Sequence, residues 1–484
     1  MIASPRSHTV GVIVPDPKFV TIPAHPLASF KPMLGEEYAE IERVAGRARR
    51  AFSGRAIWHV SSTARGGGVA EMLRTLVPYA RDVGVDVRWV VLREEPEFFA
   101  VTKRLHNRLH GEPGDGGPLD ERAHRLYEGV LRANVDALGP LMQKGDVVYL
   151  HDPQTAGMVE GLRERGLKVI WRCHIGRDVP NDLVRTAWEF LLPFIQNADA
   201  FVFSRRQYLW EGLDESKVWL MPPVIDPFSP KNQDLDPPVV AGILQEIGLV
   251  PDGLEGVPVF TRADGTPGRV ERPAAIVQEE PVPDDARLVA QVSRWDRLKD
   301  PRGLLEMLER HLDDPLLHLA VVGPETAGVT DDPEGASVYE DVAKAWQGLD
   351  AEARRRCHLV SLPMRDLDEN GAMVNAIQRR ADVVVQKSIA EGFGLTVAEA
   401  MWKLRPVVGS RVGGIEDQVE DGRTGFLVDD PHDLAACASA VERLLADPGL
   451  ARRMGEAARQ RVIDKYLAVH RLREYVDMIA ALIS

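Results

Sequence analysis

The sequence predicts an α/β protein built from two Rossmann-like domains. Short apolar runs alternate with amphipathic stretches along most of the chain, the pattern of parallel sheets covered by helices on both faces. The 484 residues exceed what one hydrophobic core usually serves. A stretch with four prolines in ten residues, Met221 to Pro230, interrupts the pattern near its middle and reads as a linker.

In the first half, apolar runs place strands at 56–61, 85–92, 146–150, 168–173 and 200–203. Amphipathic stretches place helices near 69–82, 121–138 and 182–196, which completes one Rossmann-like domain. After the linker, strands are expected at 288–293, 317–322, 357–361, 383–386, 406–409 and 425–428, separated by helices. Residues 257–283 hold Val-Pro-Val-Phe-Thr, the turn signal Ala263-Asp264-Gly265-Thr266-Pro267-Gly268 and Ala-Ala-Ile-Val, and read as an inserted hairpin. Helices at 434–445, 451–466 and 469–483 end the chain.

Composition removes several classes of function. The formal charge of −14 and pI near 5.5 argue against nucleic acid or an anionic membrane as partner. Cys173, Cys357 and Cys437 are sparse and lack Cys-x-x-Cys spacing, so neither a disulfide framework nor a structural zinc is expected and a reducing cytoplasm fits. Met1 to His8 lacks the apolar core of a signal peptide, and no later stretch is expected to cross a bilayer.

The chemistry-bearing segments fall at expected strand ends, where open α/β sheets bind ligands. Strand 56–61 leads into Ser62-Thr63-Ala64-Arg65-Gly66-Gly67-Gly68, a glycine-rich turn that is neither a dinucleotide fingerprint nor a Walker loop. His151-Asp152-Pro153-Gln154 follows strand 146–150, and His174 follows strand 168–173. Their spacing does not suggest a metal site, so hydrogen bonding to sugar hydroxyls is favoured over metal ligation. In Arg294-Trp295-Asp296-Arg297-Leu298-Lys299, two cations five residues apart suit a diphosphate clamp, although such a pair taken alone is more often ordinary surface charge.

The densest segment is Ala390-Glu391-Gly392-Phe393-Gly394-Leu395-Thr396-Val397-Ala398-Glu399-Ala400. Gly392 and Gly394 let bare backbone approach a ligand, and 395–402 reads as a helix whose opening N–H groups favour an anion. Eight residues at about 100° each return a side chain to within roughly 80° of its start, so Glu391 and Glu399 can reach different parts of one extended ligand. The plainer alternative is two solvated helix-end carboxylates. Gly413-Gly414-Ile415-Glu416-Asp417-Gln418 and Glu420-Asp421-Gly422-Arg423-Thr424-Gly425 follow in order.

Two glutamates around Gly-Phe-Gly, preceded by the Arg294/Lys299 pair, resemble the retaining nucleotide-sugar glycosyltransferases of GT-B architecture. Ser61 to Glu71, Glu97-Phe98-Phe99, Lys103 to Asn107, His151 to Gln154, Trp171 to Ile175 and Met221 to Pro227 are similar to the trehalose glycosyltransferring synthases, whose relatives include trehalose phosphorylases. The hairpin and Gly176-Arg177-Asp178-Val179-Pro180 depart from that pattern and bear on the acceptor.

The resemblance implies two domains facing a deep cleft. Residues 1–225 would form the acceptor domain, 226–466 the donor domain, and 467–484 a helix crossing back. It implies transfer of glucose from a nucleoside-diphosphate-glucose to the anomeric hydroxyl of glucose, forming α,α-trehalose without a metal or other cofactor; phosphorolysis and another small acceptor are the enzymatic alternatives. Arg294 and Lys299 would stabilise the leaving diphosphate with Gly392, Phe393, Gly394 and Leu395, Glu391 would hold the glucosyl ring, and Glu399 the ribose. Gly67 and Gly68 would approach the donor, with Arg65, His151, Asp152, Gln154 and His174 on the acceptor side. A homodimer is compatible with this scheme.

Overall fold

The computed structural model describes residues 17–64, 67–93, 95–253, 255–326 and 333–483. Its first sheet holds β1 (Lys18–Val20), β2 (Ala56–Ser61), β3 (Asp86–Val91), β4 (Val147–His151), β5 (Lys168–Cys173), β6 (Ala200–Phe203) and β7 (Val218–Leu220), in spatial order β1-β3-β2-β4-β5-β6-β7. Every pairing is parallel except β1 against β3. Helices cover both faces, so β2, β4 and β6 are buried along their whole length and are predominantly apolar rather than alternating. Asp120 and Asn181 accept from Ala123 N and Val184 N and so start the helices Glu121–Leu138 and Asp182–Ile195.

The expected hairpin exists as β8 (Val259–Thr261) and β9 (Pro267–Arg269). Its loop carries Gly265 at φ +83°, and Asp264 Oδ1 accepts from Thr266 N at 2.9 Å. The remainder of 257–283 corrects the sequence reading. β10 (Ala275–Val277) leaves the hairpin and joins the second sheet as an antiparallel edge on β13 (Cys357–Leu362), where Ile276 and Val277 are half-buried. Arg262 pairs with Asp366 at 2.8 Å, which ties the hairpin to the helix Leu367–Arg380.

The second sheet repeats the plan of the first. Its other strands are β11 (Arg287–Val292), β12 (Leu317–Pro324), β14 (Val383–Gln386), β15 (Val407–Ser410) and β16 (Gly425–Val428), in spatial order β10-β13-β12-β11-β14-β15-β16. All but β10 run parallel, so their C-terminal ends lie along one edge.

The proline-rich linker is firmly packed. Met221, Val224 and Ile225 are buried, and Tyr79 Oη donates to Asp226 Oδ1 at 2.7 Å. Where the chain returns, Ile225 N donates to Tyr466 O at 2.8 Å and Ala468 N to Ile225 O at 3.1 Å, so the outgoing and returning crossings are hydrogen-bonded neighbours. The last helix, Ala468–Ile483, then packs Val469, Val476 and Ile479 over Leu27, Val77 and Tyr79 of the first domain. No described helix is long and apolar enough to cross a membrane.

Candidate active site

The donor-side loop begins where β11 ends. Asp296 Oδ1 accepts from Leu298 N at 2.8 Å, which turns the chain so that Arg294 and Lys299 face the same space. Asp300, in the left-handed region at φ +45°, accepts from Gly303 N and starts the helix Pro301–His311. Gln291 braces the loop from below: its amide donates to Lys299 O at 2.8 Å and accepts from Lys387 N at 2.9 Å. Arg294 lies 3.1 Å from Asp296 Oδ2. Burial raises the Asp296 carboxyl, but Arg294 and Lys299 outweigh it and hold it below the usual carboxylate range.

The Glu391 loop meets these cations. Glu391 Oε2 stands 2.8 Å from Lys299 Nζ and accepts from Ser388 Oγ at 3.1 Å. Gly394, at φ +81°, turns the chain into the helix Leu395–Trp402, which no described side chain caps. Leu395 and Thr396 open that helix on the cleft wall, where first-turn amides suit an anion. Gln418 Nε2 donates to Phe393 O at 2.6 Å, and Tyr208 of the first domain donates to the Glu391 and Gly392 carbonyls.

From the first domain, β4 and β5 carry the histidines. His151 ends β4, and His174 follows β5 with its backbone N–H held by Asp152 Oδ1 at 2.7 Å. Asp152 sits at φ +63°, and burial pushes its carboxyl up to about 7. His151 Nδ1 lies 3.4 Å from His174 Nε2, and burial keeps both rings well below the ordinary imidazole value. A Cβ on Gly392 would stand 2.8 Å from His174 O, so only a bare backbone fits between these loops. The two sheets thus close on a cleft of ≈ 430 Å³.

Residues 59–210 match the family described as trehalose synthase, N-terminal domain, and residues 274–461 match glycosyl transferases group 1. Trehalose synthase of Pyrococcus horikoshii is 35% identical over 460 residues, covering 94% of this chain and 96% of that protein. Trehalose synthase of Rubrobacter xylanophilus is 37% identical over 467 residues, covering 95% and 97%. The chain belongs to the trehalose synthase family of glycosyltransferases. A trehalose phosphorylase of Pleurotus pulmonarius is more distant, 27% identical over 432 residues that cover 84% of this chain and 54% of that protein. Among solved structures, a UDP-forming α,α-trehalose-phosphate synthase from Burkholderia xenovorans has a TM-score of 0.65 at 15% identity, covering 89% of this chain and all of that one. That likeness supports the GT-B fold, and the family makes the chain a trehalose-related hexosyltransferase.

In this member of the trehalose synthase family, Gly67, Gly68, Asp152, Gln154, His174, Arg294, Lys299 and Glu391 through Leu395 all line the cleft. Arg65 lies outside the described residues. His151 and Glu399 stand one layer back. His151 is buried behind His174, and Glu399 is buried with Oε1 2.9 Å from Lys231 Nζ, which does reach the cleft and also binds Glu71 at 3.0 Å. Glu399 is therefore not one of the two solvated helix-end carboxylates of the plainer reading. No group of acidic, histidine or cysteine side chains among the described residues could hold a metal ion.

Several cleft residues were not singled out as site residues in the sequence. Lys103, His106 and His110 reach it from the helix Pro96–Leu109 and its end, facing Arg294 and Lys299. Their i, i+3, i+7 spacing on one helix face was the available signal. Burial and then Lys299 press His110 down to about 4, so this wall adds neutral rings beside the lysines. Lys231 carried no motif, and its place depends on the outgoing crossing of the fold, which it directly follows.

Proposed function

We propose that the protein transfers glucose, with retention, from a nucleoside-diphosphate-α-glucose to the anomeric hydroxyl of glucose, giving α,α-trehalose. The observation that carries this is the meeting of Lys299 and Glu391, 2.8 Å apart, beneath Arg294 and across the cleft from His174. The cations and the uncapped helix suit a diphosphate, while a carboxylate and imidazole suit sugar hydroxyls. Trehalose synthase relatives spanning nearly the whole chain support the acceptor.

In the proposed step, the acceptor oxygen attacks the anomeric carbon on the face that the diphosphate leaves. The bond to the diphosphate breaks, and a departing phosphate oxygen takes the hydroxyl proton. Arg294 and Lys299 neutralise the charge that grows on the leaving group, which lowers the barrier. Glu391 must exchange Lys299 for sugar hydroxyls as the donor arrives. Glu399 Oε2 is buried without a hydrogen-bond partner among the described residues, an acceptor suited to a ribose hydroxyl carried past Lys231. The scheme needs no metal.

The test is a donor-by-acceptor screen with product identification by NMR, run in reverse with trehalose plus UDP, ADP, GDP or phosphate. Nucleotide-dependent formation of a nucleotide-glucose is expected. Cleavage with phosphate alone would overturn the nucleotide reading in favour of phosphorolysis.

A further inference from the structure

His174 is the visible end of a longer row. Behind it, His151 Nε2 lies 3.0 Å from Nδ1 of His59, a residue of β2 that touches the cleft nowhere. The rings stack, His59 on His151 at 5.3 Å between centroids and 29°, and His151 on His174 at 5.7 Å and 16°. His59 also stacks on Tyr149 at 4.8 Å and lines a small apolar cavity of ≈ 70 Å³ under the last helix. The row therefore runs along one face of the first sheet, the face under the last helix, inward from the cleft at the strand ends.

A neutral imidazole carries one proton on one of two nitrogens, so each ring in a row constrains the next. If His151 holds its proton on Nδ1, it donates to His174 Nε2, and His174 must then be protonated on Nδ1. The Nε2 of His151 must accept from His59, protonated on Nδ1. If His151 holds its proton on Nε2, both neighbours are forced to Nε2 as well. No mixed neutral arrangement keeps both hydrogen bonds. Burial holds all three rings neutral, with His59 lowered to about 3 and the buried Arg172 adding to the effect. Arg172 is itself fixed by Tyr475 and by Met221 O.

We propose that His59, His151 and His174 are a tautomer-coupled row in which His59, a positioning residue behind the cleft on the sheet face under the last helix, sets which nitrogen of His174 carries the proton. His174 spends Nε2 on His151, which leaves Nδ1 as its ring nitrogen for a sugar hydroxyl. One tautomer of the row makes that nitrogen a donor and the other makes it an acceptor. The consequence for turnover rests on the reading that His174 meets a sugar; the coupling does not.

Selective ¹⁵N-histidine labelling and long-range proton–nitrogen correlation near pH 7.5 read the tautomers directly in the substrate-free wild-type protein. The three rings are expected to be neutral and to share one tautomer fraction; unequal fractions would overturn the proposal whatever the enzyme proves to transfer. His59→Phe should shift the fraction at His174 and lower kcat about tenfold, the weight of one hydrogen bond, with the donor KM unchanged. His59→Asn returns an amide to the Nδ1 position and should restore most of that loss. Equal kcat losses in the two variants, or an unchanged His174 spectrum in His59→Phe, would refute the role of His59.

Discussion

Gly413→Ala is a test of how closely the Glu391 loop must be held. Gly413 opens the helix Gly413–Gln418 with φ at +51°, and a Cβ there would stand 1.8 Å from Glu391 O and 2.8 Å from Tyr208 Oη. Relief of that contact requires the Glu391 carbonyl to move by about 1.2–1.6 Å. A displacement of about 1 Å at a reacting group costs on the order of 100-fold in rate. Gly422→Ala supplies the control, because Gly422 has φ +74° with nothing within 4 Å of its added Cβ. Both variants bear the left-handed penalty of roughly 1–2 kcal/mol, and only Gly413→Ala displaces the loop. Initial rates at saturating donor, compared with thermal midpoints, separate the two effects. The reasoning fails if Gly413→Ala keeps a kcat within about threefold of Gly422→Ala.

Glu391→Gln is expected to lower transfer about 100-fold while free nucleotide still binds, and Glu399→Gln to weaken nucleotide binding about tenfold by calorimetry. Equal loss of nucleotide affinity would contradict their division. Folded His59 refuses protons that the unfolded chain accepts between pH 6.5 and about 3, so stability present above 6.5 should fall as pH drops through that window. Asp152 acts with the opposite sign: its folded carboxyl stays protonated to about 7, so its contribution is lost as pH rises from 3.8. Thermal midpoints from pH 4 to 8 should therefore fall toward acid, more steeply in Asp152→Asn; a flatter profile in that variant would be the wrong sign. Arg205, buried between domains, pairs with Asp178 at 2.6 Å, Glu416 at 3.4 Å and Asp417 at 2.6 Å. Arg205→Met should cost roughly 1–3 kcal/mol and enlarge the envelope in small-angle scattering; an unchanged radius would deny it a tethering role.

Much of the fold was legible because a strand buried on both faces leaves an apolar run. The expected strands at 56–61, 168–173, 200–203, 383–386 and 425–428 coincide with β2, β5, β6, β14 and β16. Three-residue edges such as β1 and β10 carry too few residues for any period, and β10 was absorbed into the hairpin. The prolines at 222–230 marked the linker, but its burial was not legible because composition reports backbone preference and not burial. In the site, glycines and cations at strand ends were visible because topology places those ends on one edge. Lys231 against Glu399 was not, since a pair 168 positions apart leaves no local pattern. His59 lay inside an expected strand, where alternation offers no clue that one ring touches another on β4.

The helix Ala468–Ile483 closes the face of a sheet whose strands all lie within the first 220 residues. During synthesis those strands emerge early, yet the apolar surface around Leu27, Val77 and Tyr79 waits for the last sixteen helical residues. At roughly 5–20 residues per second, the ribosome takes on the order of 10–50 s to deliver them. Throughout that interval a nascent chain presents a greasy, half-built domain to its surroundings, and truncations near the C-terminus would leave it in that condition permanently. The order of the chain thus makes the first domain the last to finish.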